Sequence, residues 1–243
     1  MFKQDDFYKK KEADAFFLRN KINQKEIYNL ISKNLIRKSK LEIYNVLKKK
    51  IKLNRNIKIL EIGCYIGDLL YYLKKKNKCK VYGVEPSKKA CQISKNIFSL
   101  KIENKTFFES KFFALNKKNL EFFDLIICDD VLSWVDRDLI IPTFGVIDWL
   151  LKKRGYLFLR DFTPKINFAH PNHHWKKKNI FNFKYKDGHK KFFIESGKYI
   201  EIFNHKYFSN KMQKIKIKNR SSMIWSDTII KKINNFTHNI IKI

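Results

Sequence analysis

Apolar and polar positions follow three successive rhythms along this chain of 243 residues. In residues 1–56, Ile27, Leu30, Ile31, Leu35, Leu41, Tyr44 and Leu47 recur at helical spacing among lysines, which predicts helices. Asn54 to Asn56 reads as a turn. Short apolar runs then take over. Ile57–Ile62 ends at Gly63 as a buried parallel strand would, and Leu69, Leu70 and Leu73 restore a helical pattern over Gly67–Lys76. Lys80–Val84 is a second strand, Pro86–Phe98 a helix and Phe107–Phe108 a third strand. Phe123–Cys128 is a fourth strand, Leu139–Leu151 a helix and Gly155–Leu159 a fifth strand. Strands alternating with helices predict an α/β fold built on a doubly wound, Rossmann-like, mostly parallel sheet.

Past Asp161 the alternation stops. Ile180–Tyr185 and Lys190–Glu195 flank Asp187-Gly188, a hairpin signal, and Ser196-Gly197 precedes Tyr199–Phe203. These segments read as antiparallel strands closing the sheet edge. Met212–Lys218 alternates isoleucine with lysine like a half-exposed strand, and the last twenty residues carry a weak helical pattern. No repeat or linker divides the chain, so a single domain is expected.

Chemistry concentrates in Lys58-Ile59-Leu60-Glu61-Ile62-Gly63-Cys64-Tyr65-Ile66-Gly67-Asp68-Leu69-Leu70. A strand runs through a turn bearing two glycines into a helix, and glycine permits positive φ and close approach of a ligand. Glu61 and Glu85 close the first and second strands, at the sheet edge where doubly wound folds bind ligands. An acid in the position of Glu85 can accept hydrogen bonds from both hydroxyls of a ribose. A dinucleotide site asks for G-x-G-x-x-G, so that a pyrophosphate meets the helix N-terminus. Here the register is Gly63-x-x-x-Gly67, preceded by an acid that repels a pyrophosphate and attracts an ammonium.

Glu-x-Gly-x-x-x-Gly followed by Gly-Val-Glu resembles the class I S-adenosylmethionine-dependent methyltransferases. The resemblance covers most of residues 55–161. Phe123-Asp124-Leu125-Ile126-Ile127-Cys128-Asp129-Asp130-Val131-Leu132 is similar to that family's fourth motif, and Leu150-Leu151-Lys152-Lys153-Arg154-Gly155-Tyr156 to its turn into strand 5. Two positions depart from the pattern: Tyr65 and Arg154 stand where the family has glycine, and Tyr65 narrows the methionine pocket. The resemblance implies S-adenosylmethionine as cofactor and S-adenosylhomocysteine as product. It sets Glu61 near the methionine amine, Gly63, Cys64, Tyr65 and Gly67 along the methionine and ribose, and Glu85 with Pro86 on the ribose. Asp129 and Val131 face the cofactor, and Glu109 or Ser110 the adenine. Under it the chain divides into an N-terminal helical cap (1–54), a cofactor-binding core (55–161) and a substrate-side segment with closing strands (162–243). Glu12 to Asn20 resembles an element of bacterial surface-sugar and capsule-pathway methyltransferases, in which Arg19 pairs with the cofactor's carboxylate.

Arg160-Asp161 follows the fifth strand, and three of the six histidines come soon after, as His170, His173 and His174. At this edge a neutral histidine can deprotonate a hydroxyl, so these three and Asp161 are the catalytic candidates. His189, beside the Asp187-Gly188 turn, reaches the same mouth only if the hairpin folds over it. Asp129 or Asp130 with Asp161 would imitate the metal carboxylates of catechol-type enzymes, but Phe162 replaces their usual asparagine. The histidine cluster also lacks a carboxylate or cysteine at ligand spacing, and no metal site is predicted. Asp129-Asp130-Val131-Leu132-Ser133-Trp134 stands where base N-methyltransferases carry N/D-P-P-Y, which argues against a flipped base.

Composition shifts the emphasis. Lys and Arg total 53 against 23 Asp and Glu, a net charge of +30, which by itself points to nucleic acid. Only 7 of the 53 are Arg, the better fork for phosphate, and Ala, Gly and Pro are scarce while Lys, Ile, Asn and Phe abound. A/T-rich codons account for much of the lysine. What survives is a basic stretch over residues 152–191, favouring a small anionic substrate. The four cysteines form no CxxC pair, no run nears the about 18 apolar residues of a membrane span, and the N-terminus is charged where a secretory signal is apolar. A cytoplasmic O-methyltransferase of a sugar, nucleotide sugar or phosphate-bearing precursor is expected. Competing readings are a nucleic-acid methyltransferase and a noncatalytic partner subunit retaining the fold.

Overall fold

The computed structural model describes residues 3–20, 29, 36–171, 181–208 and 224–234. Five parallel strands form its centre: β1 (Lys58–Ile62), β2 (Lys80–Val84), β3 (Ile102–Glu103), β4 (Phe123–Asp129) and β5 (Leu151–Phe162). With β8 (Tyr199–Phe208) and β9 (Ile224–Lys232) they make a seven-stranded sheet in the order β3-β2-β1-β4-β5-β9-β8. β9 runs antiparallel between β5 and β8. A separate two-stranded sheet pairs β6 (Phe168–Pro171) with β7 (Phe181–Lys184).

Because strand side chains alternate between faces, each central strand supplies two cores. Ile59, Leu125, Ile127, Phe158 and Ile229 face one layer, and Leu60, Ile126, Leu157, Leu159 and Ile230 the other. Helices cover both layers. On the first lie Lys38–Lys50, Asp68–Asn77 and Lys88–Phe98; Ile140–Leu150 covers the second.

Several expectations about position need correction. The third strand is Ile102–Glu103, not Phe107–Phe108, which lie in turns. Lys190–Glu195 is a helix, not a hairpin strand. The partner of β7 across its ladder is β6, upstream. Ile224–Lys232 is a strand rather than a helix: its polar Ser226, Asp227 and Thr228 are buried because Asp227 is held by Arg160. Met212–Lys218 lies outside the described residues. Among the described residues no helix is long and apolar enough to cross a membrane.

The N-terminal segment lies over the carboxyl ends of β1 and β2. It comprises Lys3–Phe7, a π-helical turn at Tyr8–Glu12, and the helix Ala13–Arg19. Polar anchors fasten it there. Asp5 Oδ2 accepts from Thr106 Oγ1 at 2.8 Å, Asp14 Oδ1 from Ser87 Oγ at 2.6 Å, and Asn20 O from Tyr65 Oη at 3.0 Å.

Candidate active site

The glycine turn after β1 opens a cavity of about 290 Å³ at the carboxyl edge of the sheet. Gly63 lines it with φ 69°, and a Cβ there would stand 2.8 Å from Val131 Cγ2. No larger residue fits without moving Val131. Tyr65 (φ 52°) and Arg154 (φ 63°) keep the left-handed backbone of the glycines they replace, a conformation costing roughly 1–2 kcal/mol for other residues. The Tyr65 ring packs against Phe16 and Phe17 and under the Arg37 guanidinium, whose centre is 4.9 Å from the ring centroid. Tyr65 therefore joins the turn to the N-terminal roof as well as lining the cavity.

Glu85 lines the cavity with both carboxylate oxygens held from behind. Oε2 accepts from Tyr65 N and Oε1 from Ser87 N, each at 2.8 Å. Burial pushes its carboxyl up to about 7 against those two hydrogen bonds. Pro86, Val131 and Asp129 line the same cavity, roofed by Tyr8, Ala13 and Phe16. Beside it, sharing Gly63, Tyr8, Pro86 and Val131, is a largely apolar hollow bounded by Phe107, Phe108 and Leu132, with Asp5 and Thr106 as polar groups.

Other expected residues take different places. Glu61 is fully buried and accepts from Lys40 Nζ at 2.7 Å, so the ammonium it holds belongs to the chain itself. The same Lys40 is 2.8 Å from Asp129. Burial disfavours the Lys40 charge, yet Asp129 and Glu61 together hold it above its ordinary value. Cys64 is a core residue, and Gly67 packs toward Leu100 and Ile102. Arg19 pairs with Glu12 at 2.5 Å. Glu109 takes Lys9 at 2.5 Å and Ser110 donates to Phe107 O at 2.7 Å; neither lines the two hollows, where Phe107 and Phe108 stand instead. His170 belongs to β6, opposite Asn182, while His173 and His174 lie outside the described residues.

Asp161 does not line the cavity. Its Oδ2 accepts from His189 N at 2.7 Å and meets His189 Nδ1, and its Oδ1 accepts from Phe162 N at 2.8 Å. The pair fastens the turn before Lys190–Glu195 to β5. Burial acts to raise the Asp161 carboxyl, but His189 and Lys184 outweigh it and hold it below 3.8. A lowered acid stabilises the fold above its unfolded-state value and loses that contribution as the pH falls through its folded value. Asp161→Asn is therefore expected to cost about 2 kcal/mol at neutral pH. In denaturant titrations its gap from the wild type should narrow once the pH drops below 3.8. A gap constant with pH would contradict this.

Four participants escaped sequence reasoning. Lys40 sits on the apolar stripe of Lys38–Lys50 with Ile43, Tyr44 and Leu47, and a lysine at a core-facing position was its visible signal. Tyr8 and Trp225 line the cavity from segments far apart in sequence. Arg160 also lines it and is held by Asp227 through two hydrogen bonds of 2.7 and 2.8 Å. Among the described residues no group of three or more His, Cys, Asp and Glu side chains is arranged to hold a metal ion.

The chain matches the methyltransferase domain family over residues 33–201. It is 33% identical over 104 residues to an uncharacterized protein of Rickettsia prowazekii, covering 42% of this chain; the chain spans 41% of the length of that curated relative. Among solved structures it is similar to 1,6-didemethyltoxoflavin-N1-methyltransferase from Burkholderia thailandensis, whose structure contains 1,6-didemethyltoxoflavin and S-adenosylhomocysteine. That likeness has a TM-score of 0.55 at 13% identity, covering 82% of this chain and 78% of the other. A SAM-dependent methyltransferase from Archaeoglobus fulgidus gives a TM-score of 0.51 at 15% identity, covering 84% and 99%. With a family match over most of its length and the sheet order and edge cavity described above, this protein belongs to the methyltransferase domain family.

Proposed function

We propose that this protein methylates an oxygen of a small polar molecule, with a sugar as the favoured class. S-adenosylmethionine is its cofactor. The observation that carries the reading is the pairing of Gly63 with Glu85 in one cavity. Gly63 admits a ligand close to the backbone, and Glu85, held from behind by two amides, keeps lone pairs for two ribose hydroxyls. The adjoining apolar hollow suits an adenine ring, and the roof of Tyr8, Ala13 and Phe16 excludes water. When bound, the cofactor supplies the methyl group on its sulfonium. The chain's own part is orientation and removal of the acceptor's proton.

Charge in the cavity refines the acceptor. Despite the net +30, no lysine among the described residues lines it. Three carboxylates do (Glu85, Asp129 and Asp130) against one guanidinium, Arg160, already paired with Asp227. Carboxylates outnumber cations on the described lining, which supports an acceptor whose reacting end is uncharged. Flat faces of Trp134 and Trp225 beside carboxylates suit a hydroxyl-bearing ring. Labelled methyl transfer to a panel of monosaccharides and their phosphates tests this. Transfer to neutral sugars is expected. Transfer confined to the phosphorylated members, or to amines, would reject the acceptor class.

A further inference from the structure

We propose that Asp130 takes the proton of the group that is methylated. The inference rests on the reading of this cavity as a methyltransferase centre and assigns it a base.

Asp130 follows the end of β4, between Asp129 and Val131, and all three line the cavity. Its backbone has φ 53°, a left-handed conformation that an aspartate adopts at a cost. Such strain at the end of a central strand marks a position whose side chain is wanted where it is. The carboxylates around it are all engaged. Asp129 meets Lys40 at 2.8 Å, Glu85 takes two backbone N–H groups, and Asp161 takes His189. Asp130 differs. Its Oδ1 is buried and accepts no hydrogen bond. The cation beside it, Lys184 Nζ, is 3.7 Å away and donates instead to Ser133 Oγ at 2.6 Å. The side chain is 32% exposed and lines the cavity. Asp130 thus lines the cavity with a carboxylate oxygen that accepts no hydrogen bond, whereas Glu85 is held by two amides on the ribose side.

Its basicity suits the task. Burial pushes the carboxyl up to about 7; Lys184 opposes the shift, while Asp161 and Asp129 add to it. A base poised near the working pH is an efficient proton acceptor. Trp134 is set against Tyr8 with ring centroids 5.6 Å apart, and Trp225 against Phe162 at 4.1 Å, so the surrounding walls are fixed. In the step assigned to Asp130, the hydroxyl proton passes to its carboxylate. The pair of the O–H bond stays on oxygen, which bonds to the methyl carbon as that carbon's bond to sulfur breaks with its pair on sulfur. A neutral ether and a protonated Asp130 result, and the proton returns to solvent when the product leaves.

Asp130→Asn keeps the shape and removes the base. Three readouts decide. Calorimetry with S-adenosylhomocysteine should give an affinity within about twofold of the wild type, because Glu85 and Gly63 are untouched. Thermal unfolding at pH 8 should occur at the same or a higher temperature, since the amide accepts the left-handed backbone and burial more readily than a carboxylate does. For a sugar of the panel that takes label, kcat should fall about 100-fold or more with KM nearly constant, and the rise of kcat with pH through about 7 should vanish. Unfolding at a lower temperature in both Asp130→Asn and Asp130→Gly would overturn the proposal by making the side chain structural. So would turnover within about threefold of the wild type. Failure of the wild type to bind S-adenosylhomocysteine would instead remove the cofactor site, and this assignment with it.

Discussion

Replacing Lys40 with methionine is expected to destabilise the protein by about 3–5 kcal/mol, the largest loss anticipated for any single change at this site. Lys40 is 5% exposed and bridges Glu61 at 2.7 Å and Asp129 at 2.8 Å. Methionine fills a similar volume, so the effect reads charge rather than packing. Without the ammonium, the buried Glu61 and the part-buried Asp129 are left facing each other, and Glu61 Oε2 already lacks a hydrogen bond. Arg160, 3.8 Å from Asp129 and committed to Asp227, compensates poorly. Adding Glu61→Gln should recover part of the loss, giving a coupling of on the order of 1–3 kcal/mol in the double-variant cycle. Urea unfolding monitored by circular dichroism checks both. A Lys40→Met protein as stable as the wild type would mean that the bridge holds nothing together.

The bridge also shows what the sequence could and could not reveal. β1, β2, β4 and β5 were legible because strands buried on both faces read as apolar runs. The glycine turn was legible because a left-handed backbone and close approach restrict residue type, and the structure places Gly63 and Glu85 on one cavity. β9 was hidden because its buried Ser226, Asp227 and Thr228 look like surface until Arg160 is placed opposite Asp227. Lys190–Glu195 carries Phe192, Phe193 and Ile194 in a row, a strand-like run, yet folds as a helix with Phe193 packed on Phe144 and Tyr199. The roof was hidden for a similar reason. Asp5 and Asp14 resemble solvated acids and become anchors only when Thr106 and Ser87 are brought to them. In each case a partner distant in sequence, polar for β9 and the roof and aromatic for Lys190–Glu195, decided the structure, and such partners leave no local period.

Net charge is likewise a poor guide to the local lining. The total is +30, whereas the described cavity lining carries three carboxylates and one guanidinium, that of Arg160.

The second large effect concerns Glu85. Each of its oxygens takes one backbone N–H at 2.8 Å and keeps capacity for one ribose hydroxyl. Hydrogen bonds to a charged group contribute about 1.5–3 kcal/mol each, so losing both should weaken binding by roughly 100-fold or more. Glu85→Ala also leaves the Tyr65 and Ser87 amides without that partner, and Glu85→Gln separates the two causes. The glutamine should preserve the fold and weaken binding by about tenfold. The measurement that bears most directly on this account is calorimetric titration of the wild type, Glu85→Gln and Glu85→Ala with S-adenosylhomocysteine. Binding of one ligand per chain, weakening in that order, is the predicted result. No binding by the wild type, or equal affinity in all three, would contradict it.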